Sequence, residues 1–280
     1  MAYNLNNKLV IAISSRALFD LEEENQIFEK DGLDAYYKYQ LENEDKSLKK
    51  GTGYRLVENI LKINSFFSSD ERQVEVIILS KNNAATSLRI TNAINDLKLD
   101  IIRSAWTSGT NISNYLKAFK VDLFLSADDN DVLNAIENGV AAAKILHSNE
   151  NIHNISNEQV RIAFDGDAVL FSEESELVYK NHGLEAFIEH EKENRNNPLE
   201  MGPFAKLLLT IAKIQAKFPT DKSPIRTALV TARSAPTHER VIKTFNLWGV
   251  RVDEAFFLGG TDKYEILQAF GADIFFDDQD

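Results

Sequence analysis

Residues 162–171 read Ile162-Ala163-Phe164-Asp165-Gly166-Asp167-Ala168-Val169-Leu170-Phe171. An apolar run thus ends in two carboxylates one residue apart, and a second apolar run follows. A short buried strand that stops at charged residues brings them to the carboxyl edge of a sheet, where α/β folds bind their ligands. Two aspartates there can divide the chemistry, because one can attack an electrophile while the other moves a proton. The pattern predicts an α/β fold with Asp165 and Asp167 as candidate catalytic residues.

The Asp-x-Asp spacing alone is weak evidence, since it also occurs at Asp129/Asp131 and Asp278/Asp280. The stronger signal is that polar residues also follow three later apolar runs, at Thr231, Lys263 and Asp277-Asp278. Strands joined by helices form a parallel sheet, so all these ends should meet at one edge. A hydroxyl and an ammonium bind phosphate oxygens, and carboxylates hold Mg²⁺. The four strand ends therefore predict a phosphate-and-magnesium site.

Composition excludes several classes of function. The chain has 280 residues, no cysteine and a net charge of −12. Thiol nucleophiles, disulfides and thiolate metal sites are excluded, and nucleic acid is an unfavourable partner because no basic stripe can neutralise phosphates. No apolar run reaches the length of a membrane span, and Leu9–Ile13 is too short for a signal peptide. We therefore expect a cytoplasmic protein without membrane partners; a homo-oligomer is compatible with this sequence.

The sequence repeats itself at a constant displacement of 151 residues. Identical residues recur at that displacement, among them Ile11-Ala12 with Ile162-Ala163, Glu22-Glu23 with Glu173-Glu174, Gly32-Leu33 with Gly183-Leu184, Gly51 with Gly202, Arg89 with Arg240, Gly109-Thr110 with Gly260-Thr261 and Ala118-Phe119 with Ala269-Phe270. Two unrelated α/β units with the same spacing of strands and helices would match in hydrophobicity. They would not be expected to match in glycines and acidic pairs at one constant displacement. We therefore predict an internal duplication, with copies at 1–150 and 151–280.

The two predicted copies differ in their chemistry. Ser14 stands opposite Asp165, Arg16 opposite Asp167, and Ser126-Ala127 opposite Asp277-Asp278. Because a fixed positive charge replaces the acid/base at Arg16, phosphoryl transfer should run only in the second copy. Between the copies, an Ala-rich pattern predicts a helix over 132–146, and polar residues 149–157 predict a linker.

The four motifs resemble those of the haloacid dehalogenase superfamily: Asp-x-Asp, a Thr or Ser strand end, a Lys and an acidic pair. The resemblance narrows to the cytosolic type I 5′-nucleotidases. It rests on Phe164-Asp165-Gly166-Asp167-Ala168-Val169-Leu170-Phe171-Ser172, Leu229-Val230-Thr231-Ala232-Arg233-Ser234, Ile274-Phe275-Phe276-Asp277-Asp278-Gln279, Ile13-Ser14-Ser15-Arg16-Ala17-Leu18-Phe19 and Gly51-Thr52-Gly53-Tyr54-Arg55.

This resemblance implies Mg²⁺-dependent hydrolysis of nucleoside 5′-monophosphates to nucleoside and phosphate. It implies that Asp165 is the nucleophile that forms an aspartyl-phosphate. Asp167 would protonate the leaving oxygen and then deprotonate the attacking water, while Thr231 and Lys263 would bind the phosphoryl group.

The resemblance also implies a metal site and a cap. The Mg²⁺ cofactor would be held by Asp165, Asp167, Asp277 and Asp278. The fold would be two Rossmann-like copies of the haloacid dehalogenase type, with a small cap formed by an insert near 174–222.

Two other functions are compatible with the same residues. The first is a phosphatase of this superfamily that acts on another small phosphomonoester, such as a sugar phosphate. The second is a nucleotide-binding module whose catalysis has lapsed, which the retention of all four motifs argues against.

Overall fold

The computed structural model describes residues 3–145 and 159–278, and the chain divides into two compact units, Met1–Asn154 and Ile155–Asp280. The predicted boundary between residues 150 and 151 and the predicted linker over 149–157 both lie outside the described residues. Each unit contains a parallel sheet with helices between its strands, so the predicted α/β class with Rossmann-like parallel sheets is confirmed. None of the helices in the described ranges has the length and apolarity needed to cross a membrane.

In unit 1 the described strands are β1 Leu9–Ile13, β2 Phe19–Asp20, β3 Lys49–Lys50, β4 Val74–Ser80, β5 Arg103–Trp106, β6 Leu123–Ser126 and β7 Ala141–Lys144. The main sheet has the order β5-β4-β1-β6-β7, with every pair parallel, whereas β2 and β3 form a separate antiparallel pair. The central strand β1 is buried along its whole length, which suits its apolar sequence.

The helices of unit 1 are α1 Ser15–Leu18, α2 Glu22–Asp31, α3 Leu33–Glu42, α4 Tyr54–Lys62, α5 Leu88–Asp96, α6 Ser113–Leu116 and α7 Asp129–Glu137. The predicted helix over 132–146 is wrong beyond Glu137. Gly139 has a φ of 72°, a left-handed conformation that ends the helix, and the next alanines pair with β6 as strand β7. The helix propensity of alanine is thus overridden by pairing at the sheet edge.

In unit 2 the described strands are β8 Val160–Phe164, β9 Ile225–Thr231, β10 Glu254–Phe257 and β11 Ile274–Phe276, in the all-parallel order β10-β9-β8-β11. The helices are α8 Glu174–Glu193, α9 Ala205–Gln215, α10 His238–Trp248 and α11 Tyr264–Phe270. Residues Gly166–Leu170 form a turn directly after β8, closed by the N–H of Phe171 donating to the carbonyl of Gly166; Asp167 and Ala168 within it have non-helical backbone angles.

The segment predicted to form a cap contains two different parts. Helix α8 is interrupted at Gly183, whose φ is 83°. Helix α9 instead belongs to the core of unit 2, because Gln215 donates to the carbonyl of Ile225 in β9 and the preceding Phe204 packs on Phe276 of β11.

The two sheets share their strand register at the displacement of 151 residues. In β1, Leu9 lies opposite Val74, and in β8, Val160 lies opposite Ile225. The hydrogen bond from Val10 N to Asp122 Oδ2 has its counterpart from Arg161 N to Asp273 Oδ2. Left-handed backbone also recurs, in pairs such as Lys98 with Gly249, Ser108 with Gly259 and Lys120 with Gly271.

Lys120 should therefore be a strained position in unit 1. Its φ is 58°, where a side chain is unfavourable, and the corresponding residue in unit 2 is a glycine with a φ of 70°. We predict that Lys120→Gly raises the free energy of unfolding by roughly 0.5–1 kcal/mol in chemical denaturation. Lys117→Gly is the matched control: its φ is −67°, so it should destabilise. Equal losses from both variants would contradict the prediction.

Candidate active site

Asp165 lies where β8 leaves the sheet of unit 2. Its backbone N–H still donates to the carbonyl of Phe276 (2.8 Å), so its position is fixed by the sheet itself. Its buried side chain accepts from the N–H of Gly166 at Oδ1 (2.6 Å) and from Lys263 Nζ at Oδ2 (2.7 Å). The sheet and two hydrogen bonds therefore hold this carboxylate in one orientation.

Asp165 is joined by the two acidic residues that follow β11. One oxygen from each of Asp165, Asp277 and Asp278 can be chosen so that all three lie within 4.8 Å of one another. Lys263 Nζ also contacts Asp277 Oδ2 at 2.9 Å. Three carboxylates against one ammonium leave two negative charges, which matches the charge of one divalent cation. An all-oxygen donor set is the kind that Mg²⁺ prefers.

Burial and charge set the protonation of this cluster. Burial raises the pKa of Asp165 to about 6, against the opposing effect of Lys263. Burial alone would lower the pKa of Lys263, but its hydrogen bonds to Asp165 and Asp277 outweigh burial and raise it. Burial, followed by the nearby charge of Glu176, raises the pKa of Asp278. Burial therefore disfavours the ionised forms of Asp165 and Asp278, and a bound cation would stabilise them.

Thr231 lies at the end of β9, beside the turn that follows Asp165. Its side chain is buried, and Oγ1 accepts from the N–H of Arg233 at 3.3 Å. A Cβ atom on Gly166 would come within 3.1 Å of Thr231 Oγ1, so the glycine allows the two strand ends to approach closely. The structure thus brings Asp165, Thr231, Lys263, Asp277 and Asp278 to one edge of the sheet.

Asp167 has a different environment from these residues. Arg233 holds its carboxylate with two hydrogen bonds, from Nε to Oδ2 (2.8 Å) and from Nη2 to Oδ1 (2.6 Å). Asp167 does not belong to the group of acidic oxygens formed by Asp165, Asp277 and Asp278. Of the four predicted metal ligands, the structure brings three together and pairs the fourth with an arginine.

The arginine that holds Asp167 is part of a buried charge network. Arg233 Nη1 donates to Glu191 Oε2 (2.5 Å), and Glu191 Oε1 accepts from Arg240 Nη1 (2.9 Å) and Ser175 Oγ (2.8 Å). Burial alone would raise the pKa of Glu191, but Arg233, Ser175 and Arg240 outweigh burial and lower it. The network connects helix α8 to the second aspartate of the Asp-x-Asp motif.

Sequence reasoning did not identify Arg233, Glu191 or Arg240 as functional residues. One signal was available for Arg233, which follows Thr231 by two residues just as Asp167 follows Asp165. Glu191 lies inside a charged run that resembles a solvated helix face, and its side chain is nevertheless fully buried.

Glu191 should be essential for stability because it neutralises two buried guanidinium groups. We predict that Glu191→Gln lowers the free energy of unfolding by on the order of 3 kcal/mol, since an uncompensated buried charge remains. Chemical denaturation measures this loss. The matched control is Glu239→Gln, which removes an exposed partner of Lys243 and should change stability little. Similar effects of the two variants would contradict the buried network.

The chain is similar to known proteins over all or nearly all of its length. The family model described as 5′-nucleotidase matches residues 1–280. Cytosolic 5′-nucleotidase 1B of Homo sapiens is 37% identical over 281 residues, which cover 97% of this chain and 46% of that protein. The chain thus spans about half the length of this curated relative. No solved structure matches the chain significantly.

Proposed function

The chain belongs to the 5′-nucleotidase family, and from this membership we propose that it hydrolyses nucleoside 5′-monophosphates to nucleoside and phosphate. The observation that carries the proposal is the convergence of Asp165, Lys263 and Asp277 at one sheet edge, with two ion pairs of 2.7 and 2.9 Å between them. The four motifs are those of the haloacid dehalogenase superfamily, to which we assign unit 2.

In this proposal Asp165 is the nucleophile. A carboxylate oxygen forms a bond to phosphorus as the bond to the 5′-oxygen breaks, which gives an aspartyl-phosphate and a free nucleoside. Water then attacks phosphorus, the bond to Asp165 breaks, and phosphate leaves. Lys263 offsets the charge that would otherwise repel phosphate from the carboxylate, and the Thr231 hydroxyl binds a phosphoryl oxygen.

Asp167 is proposed to donate a proton to the 5′-oxygen and to accept one from the attacking water. Arg233 occupies both oxygens of Asp167, so one of these hydrogen bonds must give way when Asp167 transfers a proton. Arg233 is accordingly a positioning residue, which fixes the direction from which Asp167 approaches the leaving group.

Mg²⁺ is proposed as the cofactor, with Asp165, Asp277 and Asp278 as its carboxylate ligands. When bound, it supplies positive charge that stabilises the phosphoryl oxygens in the transition state. Asp167 was the fourth metal ligand expected from the sequence. In this proposal its carboxylate stays paired with Arg233 and does not bind the metal. Support comes from the net negative charge of the cluster and from its oxygen-only donors.

We also propose that the two units arose by duplication, that unit 2 has a cap and that the protein is cytoplasmic. The shared register and left-handed positions support an origin of the two units by duplication. The cap is assigned to helix α8, whose Glu191 reaches the site through Arg233. A cytoplasmic location is proposed because the human relative is named as cytosolic.

Asp165→Asn tests the nucleophile, because the amide keeps the shape and removes the attacking charge. We expect phosphate release from AMP to fall by at least about a thousandfold while the melting temperature is retained. Asp262→Asn is the matched control: Asp262 lies beside Lys263, and its Oδ1 accepts from the N–H of Tyr264 at the start of helix α11, so this variant should retain activity. Activity of Asp165→Asn within tenfold of the parent would refute the role. If the unsubstituted protein hydrolyses sugar phosphates and not AMP, it is a phosphatase for another phosphomonoester. If it hydrolyses neither, the nucleotide-binding module without catalysis is favoured.

Removal of the metal should abolish turnover. We expect excess chelator to stop phosphate release from AMP and added Mg²⁺ to restore it, with Zn²⁺ a poor substitute at an all-carboxylate site. Asp277→Asn should raise the Mg²⁺ concentration needed for half-maximal rate, whereas Asp262→Asn should leave that concentration unchanged. Full activity in chelator would contradict the cofactor.

A further inference from the structure

Unit 1 contains a cavity of about 490 Å³ at the carboxyl ends of β1, β4 and β6. This volume lies in the range of sites that bind small organic ligands. Three buried serines, Ser14, Ser80 and Ser126, supply hydroxyl groups at the strand ends that line it. The cavity thus occupies the same position in its sheet as the candidate active site in unit 2.

The serine hydroxyl groups in the cavity form two hydrogen-bonded pairs. Ser15 Oγ lies 3.0 Å from Ser80 Oγ, and Ser126 Oγ lies 3.3 Å from Ser14 Oγ. Hydroxyl groups can both donate and accept, so they can reorient toward the oxygens of a ligand. Carboxylates at these positions would repel an anion unless a cation neutralised them.

Two buried donors in the lining lack hydrogen-bond partners among the described residues. They are Arg16 Nε and Asn82 Nδ2. Asn82 is oriented by Tyr36, whose hydroxyl donates to its Oδ1 at 3.0 Å. Buried unsatisfied donors are costly, and a ligand oxygen between them would remove that cost.

Three of the other charged residues in the lining have partners of opposite charge, because Asp131 pairs with Lys81 at 2.7 Å and Glu24 pairs with Arg89 at 2.5 Å. The remaining carboxylate, Asp128, caps helix α7 by accepting from the N–H of Asp131 at 3.0 Å. Among the described residues, the ion pair of Arg16 is a long contact of 3.7 Å between its Nη2 and Glu22 Oε2, and the Glu22 side chain is exposed. The guanidinium of Arg16 is therefore the cation best placed to meet an anionic group.

The lining also has an apolar part. Phe28 and Tyr36 meet edge to face with their ring centroids 6.0 Å apart, and Leu21 and Leu33 also line the cavity. Phe28 is 48% exposed and Leu33 is 64% exposed. These side chains offer a surface on which a planar ring can pack.

We propose that this cavity is a second, non-hydrolytic binding site for a nucleotide. Its planar base packs on Phe28 and Tyr36, and its phosphate meets Arg16, Asn82 and the serine hydroxyls without a metal. The site does not hydrolyse the ligand, because Ser14 and Arg16 stand where unit 2 has Asp165 and Asp167. The choice of a nucleotide rests on the proposed function, whereas the cavity and its unpaired donors do not.

The test is the stoichiometry of AMP binding to the full chain carrying Asp165→Asn, measured by calorimetry with Mg²⁺. We expect two AMP molecules per chain. Adding Arg16→Gln or Phe28→Ala should weaken one of the two sites by about tenfold or more and leave the other unchanged. The matched controls are Lys38→Gln and Tyr37→Ala, an exposed cation and an exposed ring on α3 outside the lining.

Each outcome separates the two proposals. A single AMP site that Lys263→Gln weakens and Arg16→Gln does not would overturn the second site and leave the proposed function standing. A single AMP site that Arg16→Gln weakens and Lys263→Gln does not would support the cavity as a binding site and count against the proposed function. Adenosine that binds the cavity as tightly as AMP would overturn the role of Arg16, whereas competition by inorganic phosphate at the cavity would support it.

Discussion

A central strand paired in parallel on both sides fixes where the chemistry of each unit can lie. Strand β8 pairs with β9 along its whole length and with β11 over its last three residues, so its backbone is committed to the sheet as far as Phe164. Asp165 is the first residue past that point, and its N–H still reaches the carbonyl of Phe276. The sheet therefore positions the backbone of Asp165, and hydrogen bonds from Gly166 N–H and Lys263 Nζ orient its carboxylate.

The strand ends were predictable from sequence because each follows an apolar run and all connections are parallel. Asp165, Thr231, Lys263 and Asp277 therefore meet as expected, although no residue in the local sequence specifies the pairing of Asp167 with Arg233. That ion pair joins residues 66 positions apart, and only the folded chain brings them together. Strand β7 was missed for a related reason, since three alanines favour a helix until β6 offers them hydrogen bonds.

The two units have the same strand register but carry different polar groups at the carboxyl edge of the sheet. Unit 2 gathers carboxylates at its sheet edge, so its edge carries more negative charge than Lys263 can neutralise. Unit 1 has hydroxyl groups and a guanidinium there, and its unsatisfied groups are donors. A cation fits the first edge and an oxygen-rich anion fits the second. The backbone defines a place for a ligand, and a few side chains at strand ends determine the sign of its charge.

The pairing of Arg233 with Asp167 links the retention of catalytic chemistry to the stability of unit 2. Any substitution that removes the Asp167 carboxylate also removes part of the charge that neutralises the buried Arg233, so the proposed acid/base is tied to the stability of unit 2. In unit 1, Asn82 occupies the position equivalent to Arg233, and Arg89 pairs with Glu24 rather than with residue 16. Under the proposed duplication, a change at position 16 therefore carries no such cost in stability.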